Sequence, residues 1–516
     1  MNESTSYEEL SREALISELI LHKRVLAERD QTISEAVELI TEKDQEIDKL
    51  HHLLIQAKNK IFGRKSEKLS DAQQELFAFS SATEESPLEA VVEVQGHARK
   101  SRTKRELPEN IERERIEYDL ESSACPSCDK EMPVIGEELS EELEFIPARF
   151  KVLEHVRLKR ACGTCKSGVF VPSLPPEVKP LERRQAGAGL LAQIFVSKYQ
   201  DHLPLYRQEL IFKRHGIILP RRLMCGWVAG GVELLLPIYE AIKKELLEEN
   251  YLQADETHIK VQDHDCEGKL HQGYLWAMLG PPKRVFFHYA KSRAGEIPIE
   301  LFEGFEGRIQ TDAYAGYNKV YLPETCERIA CLAHIRRKFI EAQSSSKKDD
   351  SQRVLAVIAE LYKLEKSLKG RTPDERYLQR KKKAFPLLRK LYRLVREQRK
   401  RTLPQSPYAK ALNYAWPQRV AVLRYLRDGR YEIDNNLIEN QMRPVALGRK
   451  NYLFAGSHDG AKRAAVLYTL LNCCKLNGIN SFDYLRDVLK RVHRPGEKLV
   501  DLLPHNWKPS ATMGEE

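Results

Sequence analysis

An apolar residue at every seventh position marks the N-terminal part of the sequence. Seven follow without a break, on a background rich in Glu, Lys and Gln: Leu19, Leu26, Ile33, Ile40, Ile47, Leu54 and Ile61. Such a repeat is typical of a coiled-coil seam and predicts a long helix in residues 1–79. Polar residues such as Arg29 and Lys43 weaken the companion seam. Self-association through this helix is the interpretation that we favour over a helix folded back on its own protein.

Two C-x-x-C pairs stand in residues 116–176, after a basic stretch, residues 80–115, whose composition is typical of a flexible linker. The four cysteines are Cys125, Cys128, Cys162 and Cys165. Thiolates from two such turns can close the tetrahedral shell of a Zn²⁺ ion. We therefore expect a zinc-ribbon-like module with structural zinc. The alternatives are four unligated buried cysteines or a redox pair.

Length and composition indicate a multidomain globular chain. At about 150 residues per domain, 516 residues allow three or four domains, and 42% hydrophobic residues are typical of globular proteins. The longest nearly apolar stretch, residues 232–242, is far shorter than the roughly 20 residues of a membrane span. The first residues are acidic, unlike those of a signal peptide. We expect a cytoplasmic protein without a membrane helix.

Helical patterns fill residues 177–248, and Gly216 lies between two of them. This order is compatible with a helix-turn-helix in which Arg207 and neighbouring cations contact DNA phosphates. A plain helical connector fits the pattern equally well.

Short strand patterns begin at residue 251. In chain order there are strands at 251–262, 274–279 and 285–289, a helix near 298–302, a strand at 308–311, a further helix and an apolar run at 329–333. Three strands, then helix, strand, helix and strand is the order of an RNase H-like domain. We expect residues 249–345 to form the first part of such an α/β core and residues 431–516 to complete it.

Two aspartates stand where this core would hold a metal ion. Asp255 lies in the first strand and Asp312 ends the fourth, and carboxylates on neighbouring strands offer the hard oxygen ligands that Mg²⁺ prefers. Glu439 is the best candidate for a third acid. Each has a structural alternative, since the aspartates could cap strand ends and Glu439 could belong to a capping box opened by Asn436. The cations Arg443, Arg449 and Lys450 follow Glu439, together with glycines and aromatic rings, which favours a site for a polyanion.

The chain between the second and third acids, residues 346–430, has the composition of a helical basic insertion. Residues 376–401 contain twelve Lys or Arg and one acid, Glu397, with apolar residues at helical spacing. A solvated face is the alternative, but so many like charges favour DNA as a partner. Upstream, Cys331 and His334 form a C-x-x-H pair, for which we favour a buried cysteine and a histidine near the active site or the DNA backbone over a metal site.

These motifs, in this order, resemble the transposases of the insertion-sequence-66 family, enzymes of the DDE type. The resemblance covers nearly the whole chain: residues 61–69, the paired C-x-x-C turns, and residues 202–208, 254–257, 311–317, 331–339 and 434–457. It implies a catalytic triad of Asp255, Asp312 and Glu439 that holds Mg²⁺ or Mn²⁺, with an insertion between the second and third acids, which are 127 residues apart. Asn440 departs from the family pattern, in which many members carry Arg, so a phosphate contact is in question at this position.

The main hypothesis is therefore a DNA transposase that cuts a strand at the element's end and joins the freed 3′ hydroxyl to target DNA, through two in-line displacements at phosphorus. Expected partners are double-stranded DNA, a second copy in a homodimer or higher oligomer, and accessory proteins of the same element, in a bacterial cytoplasm and on the nucleoid when DNA is bound. DNA contacts are expected from Arg207, Arg336, Arg337, Lys338, Arg443, Arg449 and Lys450. The alternatives are a catalytically silent, zinc-containing DNA-binding regulator and a stand-alone RNase H-like nuclease that hydrolyses DNA but does not join it.

Overall fold

The computed structural model describes residues 150–161, 169–173, 181, 186–263, 270–281, 283–322, 324–345 and 351–510, and six isolated helical positions between residues 16 and 46. The apolar heptad positions, the basic linker and the four cysteines of the C-x-x-C pairs lie outside the described residues. The chain divides into two compact units, residues 1–82 with 159–516 and residues 83–158, and the named helices and strands of the described residues lie in the first of these units.

Two short strands pair in an antiparallel arrangement near residue 160. Strand β1 (Arg160–Ala161) pairs with β2 (Val169–Phe170), with Ala161 opposite Val169. The second C-x-x-C pair falls in the sequence between these two strands, at positions outside the described residues.

Three helices precede the sheet: α1 (Ala188–Tyr199), α2 (Leu205–Arg214) and α3 (Arg221–Leu247). Gly216 lies between α2 and α3 with φ +80°, a left-handed conformation that glycine adopts without strain. Within the described part of the chain, α3 is the one helix long and apolar enough to cross a membrane, and half of its apolar window is buried. Its Trp227 and Leu235 lie in the core, and its Tyr239 hydroxyl donates to the carbonyl oxygen of Phe287 at 2.9 Å. These contacts are those of a core helix.

Five strands form a mixed sheet in the order β5-β4-β3-β6-β7. The strands are β3 (Tyr251–Gln262), β4 (Leu270–Gly280), β5 (Arg284–Ala290), β6 (Gly307–Thr311) and β7 (Cys326–Ala330). Strands β3, β4 and β5 are antiparallel neighbours, whereas β6 is parallel to both β3 and β7. Helix α4 (Glu296–Leu301) connects β5 to β6. The first four predicted strands and the helix after the third are thereby confirmed.

The prediction is wrong in detail after β6. Only a 3₁₀ turn (Ala315–Tyr317) lies where the second helix was expected, and the apolar run 329–333 is not one strand. Strand β7 ends at Ala330, and α5 (Leu332–Ser345) begins two residues later. The run is apolar throughout because both the strand end and the helix start are buried, so hydrophobicity carries no sign of the change between them.

The chain between Asp312 and Glu439 builds a helical region with its own core. Its helices are α6 (Gln352–Ser367), α7 (Pro373–Gln379), α8 (Phe385–Arg399), α9 (Pro407–Ala415) and α10 (Arg419–Leu423), with a π-helical segment at Arg380–Ala384. Their buried side chains pack with those of β7 and α5. The chain then returns to the sheet as α11 (Asn436–Tyr452), α12 (His458–Leu476) and α13 (Ser481–Arg491), which share the core of α1–α3.

Candidate active site

Asp255 and Asp312 lie at the same level of the sheet. In the parallel pair of β3 and β6, Gln253 is directly opposite Gln310, and each aspartate stands two residues beyond that pair. Both carboxylates are partly buried. Oδ1 of Asp255 accepts a hydrogen bond from the backbone N–H of Glu256 at 2.9 Å, and Oδ1 of Asp312 accepts one from that of Tyr314 at 2.9 Å. The parallel register therefore aligns the two acids, as the strand pattern predicted.

Glu439 lies in the first turn of α11, and its charge acts on Asp255. The side-chain amide of Asn435 donates to the carbonyl oxygen of Ala254 at 2.8 Å, and the backbone N–H of Ile438 donates to Oε1 of Gln253 at 3.2 Å. These bonds hold the start of the helix beside the strand segment that leads into Asp255. No side-chain cap is present at this helix start, so the capping-box alternative for Glu439 is not realised.

The neighbouring carboxylates act electrostatically on Asp255. Burial raises the pKa of Asp255 well above its ordinary value, and the neighbouring negative charges of Glu256, Glu439 and Asp312 raise it further. Each of these charges opposes ionisation of Asp255, which is the behaviour of acids gathered at one point. A divalent cation would reverse this balance because it stabilises every ionised carboxylate around it.

Hard oxygen donors of this kind fit Mg²⁺ or Mn²⁺. Glu439 has a side chain that is only 15% exposed, and its Oε1 atom has no hydrogen-bond partner among the residues that the structure describes. A buried carboxylate oxygen without a donor is costly, and a metal ion at this point would satisfy it. Asp255, Asp312 and Glu439 are therefore suited to hold a divalent ion.

A fourth acid, Glu256, lies beside the cluster and was not singled out in the sequence. Its Oε1 accepts a hydrogen bond from Nε of Arg293 at 2.8 Å, and its Oε2 accepts one from the hydroxyl of Tyr317 at 2.8 Å. The guanidinium of Arg293 also stacks on the ring of Tyr314, 3.8 Å from its centroid. Glu256 is thus compensated by protein groups. The position of Glu256 next to Asp255 in the sequence was a signal that Glu256 could lie near the site. That position does not reveal the partners Arg293 and Tyr317, which are distant in the sequence.

Helix α5 brings a histidine and an arginine to the other side of Glu439. Nδ1 of His334 lies 3.9 Å from Oε1 of Glu439, and Nη2 of Arg337 lies 3.7 Å from Oε2. Burial lowers the pKa of His334, although the charge of Glu439 opposes this shift. The two residues are three positions apart on one helix, so they share a face. The structure thereby places His334 at the acid cluster.

Cys331, His334 and Glu439 also form a group whose ligand atoms lie within 4.8 Å of one another. Sγ of Cys331 accepts a hydrogen bond from the backbone N–H of Asn435 at 3.2 Å, and burial raises the pKa of this thiol well above its ordinary value. A soft thiol is not a ligand that Mg²⁺ or Mn²⁺ prefers, because these ions take oxygen donors. The cysteine therefore ties α5 to the segment before α11, and His334 and Glu439 remain as the donors that face the site.

The other cations predicted to bind DNA lie in different surroundings. Nη1 of Arg449 donates to Oγ1 of Thr257 at 2.8 Å and to the carbonyl oxygen of His258, so its guanidinium is bound to β3. Nη1 of Arg207 donates to Oδ1 of Asn451 at 3.3 Å, which brings α2 to the end of α11. The remaining positions are Arg336 and Arg443, which are partly buried, and Lys338 and Lys450, which are exposed.

The basic run of the insertion is divided between its surface and its interior. On α8, Leu388, Leu391 and Val395 are buried, and the cations of that helix are exposed. Two cations of the run are structural instead: Arg380 is fully buried against Glu365, and Arg376 pairs with Glu432. The exposed cations of residues 381–400 form what we call the basic face: Lys381, Lys382, Lys383, Arg389, Lys390, Arg393, Arg396, Arg399 and Lys400.

Several proteins of Sinorhizobium fredii (strain NBRC 101917 / NGR234) are similar to this chain over most of its length. Uncharacterized protein y4jD is 31% identical over 419 residues, which cover 78% of this chain and 81% of the relative. Uncharacterized protein y4qI is 33% identical over 417 residues, covering 77% and 76%. Uncharacterized protein y4hP is 32% identical over 443 residues, covering 80% and 79%.

Four family models match consecutive parts of the chain. A model described as "Transposase C of IS166 homeodomain" matches residues 49–116, and "zinc-finger binding domain of transposase IS66" matches residues 122–166, which include all four C-x-x-C cysteines. "IS66 C-terminal element" matches residues 469–505. "Transposase IS66 family", a DDE-type model, matches residues 183–463, more than half of the chain and all three acids. The chain therefore belongs to the IS66 family of transposases, with the zinc-binding, DNA-binding and DDE regions of that family.

Proposed function

We propose that this chain is a Mg²⁺- or Mn²⁺-dependent polynucleotidyl transferase that moves an insertion sequence, with Asp255, Asp312 and Glu439 as its catalytic acids. Two observations support the proposal: the parallel register that aligns Asp255 with Asp312, and the charge of Glu439, which acts on Asp255 from the first turn of α11. Convergence of acids that are distant in sequence is what metal-assisted chemistry on phosphodiesters requires.

In this mechanism, Asp255, Asp312 and Glu439 would hold divalent ions, which would lower the pKa of the attacking oxygen and stabilise the leaving oxygen. Asp255 would present its carboxylate from β3, Asp312 from the position after β6, and Glu439 from α11. His334 and Arg337 would orient Glu439, and Arg337 would add positive charge where a DNA phosphate would lie. Water attacks the strand at the element's end, and the freed 3′ hydroxyl then attacks target DNA in line. Neither step needs a covalent bond between protein and DNA.

We propose that Arg207, Arg336, Arg337, Lys338, Arg443, Lys450 and the basic face bind the backbone of double-stranded DNA. Arg449 is bound to β3 and would act mainly by holding α11 on the sheet. Phosphate contacts by many cations release counterions, so binding should weaken steeply as salt rises.

The proposed organisation follows the sequence boundaries: a coiled-coil helix (1–79), a basic linker (80–115), a zinc module with Cys125, Cys128, Cys162 and Cys165 (116–176) and a helical DNA-binding region (177–248). An RNase H-like core (249–345 and 431–516) then carries the helical insertion (346–430). The five-stranded mixed sheet, with its three antiparallel strands followed by two parallel ones, supports this assignment. The protein would act on bacterial DNA in the cytoplasm, with accessory proteins of the same element.

A strand-cleavage and strand-joining assay on DNA of the element's ends tests the function. With Mg²⁺ or Mn²⁺, Asp255→Ala, Asp312→Ala and Glu439→Ala should each lose cleavage and joining while they still bind DNA. Asp459→Ala, a change of an exposed acid on α12, is the matched control and should remain active. Normal joining by Asp312→Ala would refute the assignment of the acids. DNA binding without cleavage by the unmodified protein would favour a silent regulator, and cleavage without joining would favour a nuclease.

Assembly has a separate test, because the heptad repeat is the proposed route to a dimer. Removal of residues 1–70 should lower the mass measured by light scattering to that of one chain. An unchanged mass would reject the coiled coil as the means of association.

A further inference from the structure

We propose that Gln253 and Gln310 are positioning residues that hold Glu439 against the two aspartates. We call this pair the glutamine clamp, and its role rests on the proposed function of the three acids. Each glutamine stands two residues before an aspartate, in Gln253-Ala254-Asp255 and in Gln310-Thr311-Asp312. Side chains two residues apart in a strand lie on the same face, so each glutamine shares a face with its aspartate.

Gln253 grips both ends of the segment that leads into Glu439. Its Nε2 donates to the carbonyl oxygen of Asp434 at 3.0 Å, and its Oε1 accepts from the backbone N–H of Ile438 at 3.2 Å. Residues 434–438 are thus fixed by one amide that belongs to the strand of Asp255. Glu439 follows immediately, so a shift of this segment would move its carboxylate.

Gln310 binds the chain that leads into α11 at Glu432, two residues before the carbonyl oxygen of Asp434 that Gln253 binds. Its Nε2 donates to the carbonyl oxygen of Glu432 at 2.9 Å, and its Oε1 accepts from Nε2 of Gln253 at 2.9 Å. The hydroxyl of Tyr251 donates to Oε1 of Gln310 and accepts from the backbone N–H of Glu432 at 3.2 Å. Each strand therefore holds the returning chain, and the two amides hold each other.

The backbone partners determine how both amides are oriented. The carbonyl oxygens of Asp434 and Glu432 can only accept, so each must face an Nε2 group, whereas the N–H of Ile438 must face an oxygen. In these orientations, Nε2 of Gln253 faces Oε1 of Gln310, so the first can donate a hydrogen bond to the second. The clamp is thus a fully paired network in which the two side chains have exposures of 1% and 0%.

Gln253 and Gln310 occupy buried positions at which apolar side chains would ordinarily pack, and their burial makes their hydrogen bonds specific. Apolar contacts tolerate small displacements, but a buried amide that loses its partners is costly, so a paired network specifies one arrangement. Such specification is needed at this point because 127 residues separate Glu439 from Asp312. It is also needed because the charge of Glu439 opposes that of Asp255, so like charges must be held together before a cation binds.

The test compares Gln253→Met, Gln310→Met and the double variant with the unmodified protein. Methionine keeps the length of the side chain and removes its hydrogen bonds. Thr469→Val is the matched control, because it removes a buried bond from the N–H of Phe287 (2.9 Å) in the contact of α12 with β5. Circular dichroism and thermal melting establish that each variant is folded.

Two readouts follow. In cleavage of end DNA, kcat should fall about 100-fold in each glutamine variant, because a misplacement of about 1 Å can cost this much, while KM for DNA stays within about twofold. Binding of Mn²⁺, followed by the electron paramagnetic resonance of the free ion and independent of activity, should weaken about 10-fold, as for loss of groups that orient metal ligands. The double variant should lose about as much as either single one, because both amides act on the same segment. Thr469→Val should change neither kcat nor Mn²⁺ binding.

The proposal is overturned if either folded glutamine variant keeps kcat within about threefold of the unmodified protein, or if Thr469→Val shows the same loss. Multiplied effects in the double variant would also overturn it, since the amides would then act separately. If Gln253→Met does not fold, Gln310→Met decides the matter by the same criteria, because it leaves both backbone bonds of Gln253 in place. Failure of the function itself would look different: Asp255→Ala would leave Mn²⁺ binding and DNA cleavage unchanged.

Discussion

Replacement of Arg380 by methionine should strongly destabilise the insertion. The guanidinium of Arg380 is 0% exposed, and it donates to both carboxylate oxygens of Glu365, from Nε at 2.9 Å and from Nη2 at 2.7 Å. Nη1 donates to the carbonyl oxygen of Asp428 at 3.0 Å, and the group lies 4.9 Å from the ring centroid of Tyr425. Methionine would fill most of the volume but would leave the buried carboxylate of Glu365 without its main partner.

Loss of one member of a buried ion pair costs about 3–5 kcal/mol of unfolding free energy. The lower end is expected, about 3 kcal/mol, because Nη2 of Arg376 is 3.7 Å from Oε2 of Glu365 and partly replaces the lost charge. Urea unfolding followed by circular dichroism measures the effect. Lys383→Met, which changes an exposed cation of the same segment, should stay within about 0.5 kcal/mol of the unmodified protein.

The double variant Arg380→Met/Glu365→Leu separates the cost of a stranded charge from the value of the pair. It should recover much of the stability lost by Arg380→Met, since buried ion pairs are often replaced by apolar residues at little cost. A loss below about 1 kcal/mol for Arg380→Met would refute the reasoning, because the buried carboxylate would then tolerate isolation. A double variant at least as unstable as the sum of the single changes would also refute it.

Three further predictions concern single residues. Asp255→Asn should raise the melting temperature of the metal-free protein, because it removes a charge that the neighbouring acids oppose. The same change should abolish stabilisation by Mn²⁺. A melting temperature below that of the unmodified metal-free protein would contradict this prediction. Burial raises the pKa of Asp434 from 3.8 to about 7, so the folded protein holds this proton more tightly than the unfolded chain does. The free energy of unfolding should therefore fall by at most about 4 kcal/mol as pH rises from about 4 to about 7, and Asp434→Asn should flatten that dependence; parallel curves for the two proteins would show that another group is responsible. Cys125→Ser should lower zinc content, measured by atomic absorption, from about one ion per chain; unchanged content would exclude Cys125 as a ligand.

The sheet and its two aspartates could be predicted because both depend on local patterns. Alternation of residues indicated β3 and β6, and Asp255 in β3 and Asp312 after β6 become aligned once the two strands pair in parallel. Glu439 was found through its basic neighbours and the family resemblance, since no periodicity connects it to strands more than 120 residues earlier. The contact of His334 with Glu439 could not be predicted from spacing at all.

In the basic insertion, the number of cations in the sequence does not predict which of them are exposed to solvent. Twelve cations in 26 residues look like one surface, yet Arg380 and Arg376 point inward to Glu365 and Glu432. Their partners lie 15 and 56 residues away in the chain, so local composition counts an ion-paired interior cation and a solvated one alike. Arg449 is a similar case, because a position that favoured phosphate binding turned out to face β3.

The buried cations of the insertion and the strands that carry the aspartates bind the same short segment of the chain. Residues 428–434 carry the chain from the insertion back to α11, and each side holds them by directed bonds. From the insertion, Arg380 binds the carbonyl oxygen of Asp428, Arg376 binds the carboxylate of Glu432 and the hydroxyl of Tyr362 donates to Asp434 at 2.9 Å. From the sheet, the glutamine clamp binds the carbonyl oxygens of Glu432 and Asp434. Because the same short segment is held from both directions, displacement of the insertion moves the start of α11 and with it the third acid. A long insertion is compatible with the proposed position of Glu439 because the C-terminal end of the insertion is fixed at the strands that precede Asp255 and Asp312.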